Sequence, residues 1–201
     1  MTHDDLLQAL IEHPDDDIRR LVFADWLEEH GEPERAEFIR TQIELAKLPK
    51  TDKRRQVLEE RETELLARNE QEWVKPLRDR VISWTFHRGF VAEVSVTVEA
   101  YQKYAFELVH SAPIQRMRVD RMEVEIRVSA IQLIPESIVR ENLVVPLGFL
   151  KDHDSLVVAM PSPIDPDLAL KLNFILNRNI APVEAAPKDL EAAINRHYGK
   201  Q

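Results

Sequence analysis

Apolar residues recur at helical spacing through the first third of the chain. They then switch to strict alternation, and after that the two periods take turns to the C-terminus. Leu6, Leu7, Leu10 and Ile11 predict a short amphipathic helix over Met1–His13, with Thr2 as its cap and Pro14 behind it. Asp15, Asp16 and Asp17 suit the first turn of a second helix, which carries Ile18, Leu21, Val22, Phe23, Ala24, Trp26 and Leu27 and ends at Gly31. Pro33 opens a third, with Ala36, Ile39, Ile43 and Ala46 on one side, stopping near Leu48-Pro49. From Thr51 to Glu72 the chain is highly charged with sparse apolar positions, as expected of an exposed helix laced with charge pairs, and Trp73, Pro76 and Leu77 anchor it back.

The period changes at Ile82. Ile82, Trp84 and Phe86 alternate with polar residues, and so does Phe90 to Val98, which predicts two strands joined at His87-Arg88-Gly89. A helix over Glu99–Ser111 follows, with Tyr101, Tyr104, Ala105, Leu108 and Val109 inward, and then a strand over Ile114–Val119. Val124, Ile126 and Val128 alternate, and Pro135–Glu141 reads as a short helix. Val144–Leu150 and Ser155–Met160 read as an antiparallel pair across Lys151–Asp154. Asp165 caps a helix to Asn177 with Leu168, Leu172, Ile175 and Leu176 inward. Ile180–Ala185 gives a third strand, and Pro187–His197 a closing helix.

One residue interrupts the apolar second helix. At about 100° per residue, Asp25 falls between Leu21 and Ile18, beside Val22. It reads as a structural buried carboxylate, satisfied by the amides that open the next helix or by Arg35 or Arg40. The weaker alternative is a catalytic carboxylate, for which no second catalytic residue lies nearby.

Two stretches resemble known families. RLVFADWLEEHGEPERAEFIRTQ resembles the signature of the bacterial repeat-companion domain, often found beside leucine-rich repeats. Trp73, the run Trp84–Phe90 and Ala112-Pro113-Ile114 extend that resemblance, which implies a module for contacts between proteins and no enzymatic activity. No L-x-x-L-x-L repeat follows. Further on, the Ile-Pro helix, VVPL, LVVAMPSPID and AINRHYG, spanning Leu133 to Gly199, are similar to the N-terminal domain of type II secretion and type IV pilus assembly ATPases. There the domain is an adaptor that docks the motor on a membrane platform, and some members bind cyclic di-GMP. The Leu-Gly motifs of the nucleotide-binding members do not appear before Val124. Glycines only at 31, 89, 148 and 199 leave no G-x-x-x-x-G-K-[ST] loop in these residues.

Composition narrows the choice. With 201 residues, 44% hydrophobic and 31% charged, the chain reads as globular. A net charge of −9 argues against a general nucleic-acid surface, including a helix-turn-helix reader, and against anionic lipid. There are no cysteines, so disulfides and thiolate metal sites are excluded. The seven histidines form no metal-binding pair, and His110 and Ser111 are neighbours in sequence that point apart.

The expectation is therefore an α+β protein of two parts. A helical unit with a β-ribbon and helix occupies 1–122, and a small three-stranded antiparallel α+β unit occupies 123–201. The function expected is a non-enzymatic adaptor or scaffold that binds another protein, without cofactor, metal, nucleic acid or membrane insertion, and cytoplasmic. Its contact surface is either the Trp84, Phe86, Arg88 and Phe90 ribbon or an edge strand and helix of the second part, where two copies could also pair. The alternative is a sensor of a cyclic dinucleotide or other small ligand, using Arg127, Arg140, Arg178 or Arg196.

Overall fold

The computed structural model describes residues 2–120, 126, 128–150, 155–161 and 165–199. It divides into two compact units: residues 1–79, 84–94 and 106–115 form the first, and 80–83, 95–105 and 116–201 the second. This differs from a single cut near 122, because the hairpin and the helix after it each contribute to both units.

Four helices open the first unit: α1 (His3–Glu12), α2 (Asp17–Glu29), α3 (Pro33–Lys47) and α4 (Arg54–Trp73). The caps are those the sequence offers. Thr2 and Asp5 form a capping box on α1, with Thr2 N donating to Asp5 at 2.8 Å and Asp5 N to Thr2 Oγ1 at 3.2 Å. Asp16 accepts from Ile18 N and Arg19 N at the start of α2. The core of this unit joins Leu6 and Leu10 of α1, Phe23, Ala24 and Leu27 of α2, and Ala36, Ile39 and Ile43 of α3 to Phe90. The buried stripe of α2 is thus 20, 23, 24 and 27, and Ile18, 74% exposed, faces solvent with Val22.

Two strands follow, β1 (Ser83–His87) and β2 (Phe90–Val96), and then α5 (Val98–Ser111). The β1–β2 turn is made by Arg88 and Gly89, both at positive φ (50° and 90°), as a tight hairpin twist requires. A Cβ on Gly89 would fall 2.7 Å from Ile39 Cα, so α3 packs directly on the turn backbone. Gly89 N donates to Gln42 Oε1 at 2.5 Å, which explains why Gln42 is buried.

The second unit carries β3 (Arg116–Val119), α6 (Val128–Ile131), α7 (Glu136–Asn142), β4 (Val145–Phe149), β5 (Ser155–Met160), α8 (Pro166–Leu176), β6 (Asn179–Glu184) and α9 (Pro187–Tyr198). The strands of the chain make one six-stranded mixed sheet in the order β1-β2-β3-β6-β5-β4, so the class is α+β. The expected three-stranded antiparallel sheet is corrected. β4 and β5 are antiparallel, with a register shift between Pro146 and Gly148, but β5 and β6 are parallel from Ser155↔Asn179 to Met160↔Glu184. The reason is the helix between them: a strand that crosses over through α8 returns in the same direction. β3 also runs parallel to β6, with Arg118 opposite Glu184. The alternation at Val124 and the turn at Lys151–Asp154 lie outside the described residues, and the chain from Val128 is helical.

Asp165 caps α8, accepting from Asp167 N at 2.9 Å and Leu168 N at 3.1 Å. Leu172 of α8 and Leu190, Ala193 and Ile194 of α9 are buried with Leu156 to Met160 of β5. Ile175 of α8 and Val109 of α5, expected inward, are exposed. Tyr101 is buried as expected and donates to Pro182 O at 3.3 Å; burial pushes its phenol up to about 12. No helix among the described residues is long and apolar enough to cross a membrane.

Candidate functional site

Pro33 fixes the start of α3 and puts Arg35 in its first turn. A cation there opposes the helix dipole, and Glu32, at the cap position, makes no side-chain hydrogen bond to the first amides. The Arg35 guanidinium instead lies among aromatic rings. It sits 4.6 Å from the centre of Trp73 at the end of α4, 5.3 Å from Phe90 and 5.5 Å from Phe86 on the hairpin, and 5.6 Å from Phe38 one turn along α3. The rings hold one another: Phe38 lies 4.8 Å from Trp73 and meets Phe86 edge-on at 5.2 Å.

Arg35 Nη1 is solvent-inaccessible and has no hydrogen-bond partner. Burial pushes the guanidinium down to about 9, with Glu32 acting the other way, so the group is still protonated at neutral pH. A cavity of about 270 Å³ adjoins it, walled by Leu7, Phe23, Leu27, Trp73, Pro76, Leu77, Phe90, Val91 and Ala112, with His3, Glu32, Glu72 and Ser111 as its polar members. Each ring contact is worth up to about 2 kcal/mol when desolvated. None of them supplies an acceptor for a buried N–H, and leaving one unmade costs about 1–3 kcal/mol.

A second buried arginine is held by backbone carbonyls, with only its Nε left without a partner. Arg20, on the inward stripe of α2, is completely buried and donates to Pro14 O at 2.5 Å, Arg88 O at 2.9 Å and His87 O at 3.4 Å. It ties the α1–α2 connection to the hairpin turn. Asp17 accepts from Arg88 beside it at 3.3 Å. The sequence pattern gives Arg20 no role and Arg35 only that of a possible partner for Asp25, because a charged residue reads as surface. The available signal for Arg20 was its helical spacing from Phe23, Ala24 and Leu27.

Of the residues expected to matter, Phe86 and Phe90 belong to the ring cage, and Asp25 does not. Asp25 is not buried: its side chain is 69% exposed and accepts from Arg40 at 2.7 Å, an Arg40 that also reaches Glu28 at 2.7 Å. The face it shares with Ile18 and Val22 is the solvent face, which is why the burial expected of it fails. The Arg40 pairing is as expected, and Arg35 is not its partner. The ribbon expected as an exposed contact surface turns largely inward. Phe90 is core, stacked on Phe23 at 5.5 Å, and Phe86 belongs to the arginine cage. Trp84 donates to Glu70 at 2.8 Å, and Arg88 pairs with Asp17.

Among the described residues, the expected ligand arginines of the second unit do not line one pocket. Arg140 pairs with Glu136 at 2.8 Å and donates to Gly199 O at 2.6 Å. Arg178 lines an open depression with Asn173, Leu176, Asn177 and Asn179, and neither Arg140 nor Arg196 is among that lining. Arg127 lies outside the described residues. The outward face of α8 is apolar: Leu170 is 63% exposed and Phe174, one turn on, 89%. Among the described residues no group of three or more His, Cys, Asp or Glu could hold a metal.

Residues 110–201 match the family model of the MshEN domain. The match takes in β3, upstream of the stretch whose sequence resembles the secretion ATPase domain, consistent with the pairing of β3 with β6. A solved structure described as "Structure of MshE with cdg" is 26% identical over 40% of this chain and 58% of that one, with a TM-score of 0.36. This chain therefore spans less than two thirds of that structure. No curated protein matches. The MshEN match leaves residues 1–109 uncovered, and Ala112-Pro113-Ile114, which the repeat-companion resemblance includes, fall inside it.

Proposed function

We propose that this chain is a non-catalytic adaptor that joins another protein to a secretion-, pilus- or signalling-type assembly in the cytoplasm. The observation that carries the reading is the MshEN match over residues 110–201, a domain type whose resemblance implies docking rather than turnover. The α8 face supports it, since an aromatic and an aliphatic side chain one turn apart and open to water have the composition of an interface anchor. The N-terminal unit, with its likeness to the repeat-companion domain, adds a second contact module.

The experiment is affinity capture with cross-linking mass spectrometry, using the full chain and its Phe174→Glu variant, alongside calorimetric titration with cyclic di-GMP. A retained protein whose cross-links fall on α8 and vanish in the variant is the expected result. Saturable heat at micromolar cyclic di-GMP, with no α8-dependent partner, would replace the adaptor by the sensor.

A further inference from the structure

We infer that the cavity beside Arg35 binds a monoanionic ligand with an apolar body, its carboxylate on the guanidinium and its apolar part against Phe23, Leu27 and Leu77. The first reason is the donor inventory. A guanidinium offers five N–H groups in a planar fork that matches a carboxylate with two parallel bonds. Arg35 Nη1 has no protein acceptor, and Arg35 lines the cavity. The first-turn amides of α3 lack a side-chain cap beside it, so the local field favours a negative group.

The second reason is preorganisation. Four rings surround the guanidinium within 5.6 Å, so little conformational freedom is left to lose on binding. The third is the wall. Its side chains are mainly aliphatic and aromatic, and its volume of about 270 Å³ lies under the roughly 300 Å³ at which drug-sized pockets begin. That suits one aromatic or branched side chain and not a dinucleotide. The charge balance selects a monoanion over a phosphate dianion. Apart from Arg35 the wall holds His3, which lies 3.2 Å from Asp4, and the two acids Glu32 and Glu72, the latter paired with Lys75 at 3.1 Å.

Two sources carry this chemistry: a free organic acid and the C-terminal residue of a peptide. The inference does not rest on the adaptor reading: the cavity draws only Ser111 and Ala112 from the matched residues, and Arg35 lies outside them. The test uses the full chain, with calorimetry and the arginine side-chain Nε–H signals in NMR spectra. The probes are 4-phenylbutyrate and its neutral amide, and a tetrapeptide ending in phenylalanine as the free acid and as the amide. At least one acid is expected to saturate the signal, with its amide at least about tenfold weaker, the factor that 1.4 kcal/mol represents. Arg35→Met should abolish binding, and Leu7→Phe, which narrows the cavity with Arg35 intact, should weaken it. Binding of 4-phenylbutyrate as tightly as the peptide assigns the site to free acids; binding of the peptide acid alone assigns it to chain termini. The inference is overturned if no acid saturates, if amides bind as well as acids, or if folded Arg35→Met retains affinity. Should Arg35→Met fail to fold, the acid–amide comparison on the unmodified chain decides the matter alone.

Discussion

Replacing Arg20 by Met tests whether a buried cation holds the hairpin turn against α2. Met keeps most of the volume, so little cavity is left. What changes is hydrogen bonding: Pro14 O and Arg88 O lose donors at 2.5 and 2.9 Å, and the 3.4 Å contact to His87 O is weaker from the start. Two orphaned, part-buried acceptors at up to about 1–3 kcal/mol each give a gross loss of at most roughly 2–6 kcal/mol. Against this, Met removes a buried charge whose desolvation costs several kcal/mol, and removes Nε, which has no partner. Arg20→Met should therefore destabilise the first unit by about 2 kcal/mol net, and Arg20→Ala by about 4 kcal/mol, since truncation adds a cavity. The assay is urea unfolding followed by tryptophan fluorescence. Trp26, Trp73 and Trp84 all belong to the first unit, so the signal reports that unit even if the chain as a whole is not two-state. A Met variant as stable as the parent would refute the reasoning, because the carbonyl contacts would then contribute nothing beyond the cost of burying the charge.

Gly89→Ala should lower the same fluorescence midpoint by about 2–4 kcal/mol, combining strain at φ 90° with overlap on the Ile39 backbone; a change under 1 kcal/mol would show that α3 yields at the turn. Asp25→Asn should cost less than about 1 kcal/mol, as for an exposed pair, and a larger loss in the urea midpoint would restore a structural role for the carboxylate. Glu37 accepts two bonds from Arg61, both at 2.7 Å, and this partner lowers its pKa from 4.5. A depressed carboxylate contributes stability above its unfolded value, and loses it as pH falls through the folded value. Glu37→Gln should thus lower the thermal midpoint slightly at pH 7 and have no effect once the pH is well below 4.5. An effect that persists there would mean the pair does not act through charge.

Punctuation in this chain is legible because its causes are local. Asp165 caps α8, Thr2 caps α1, and Gly89 closes a hairpin, each through a bond or dihedral that a single residue type supplies. Facing is less legible. Ile18 and Val22 are apolar yet exposed, so the stripe of α2 could be placed only by knowing what packs on it. Strand direction failed for a different reason: a run such as Ile180–Ala185 looks the same parallel or antiparallel, and only the intervening α8 carries the information.

The two arginines of the first unit show what sequence reasoning cannot supply and hydrogen-bond accounting can. Both are partly or wholly withdrawn from water, and each lies over Phe90, at 5.3 Å in either case. Arg20 delivers its charge to backbone carbonyls from two segments far apart in sequence, which is what a structural staple does. Arg35 delivers its charge to rings and leaves Nη1 without an acceptor. Burial is common to both, so burial cannot be the mark of a site. Each also leaves one buried donor without an acceptor, Arg20 at Nε and Arg35 at Nη1, so an orphaned donor alone is not the mark either. What sets Arg35 apart is that it lines a cavity, where an acceptor can come from outside.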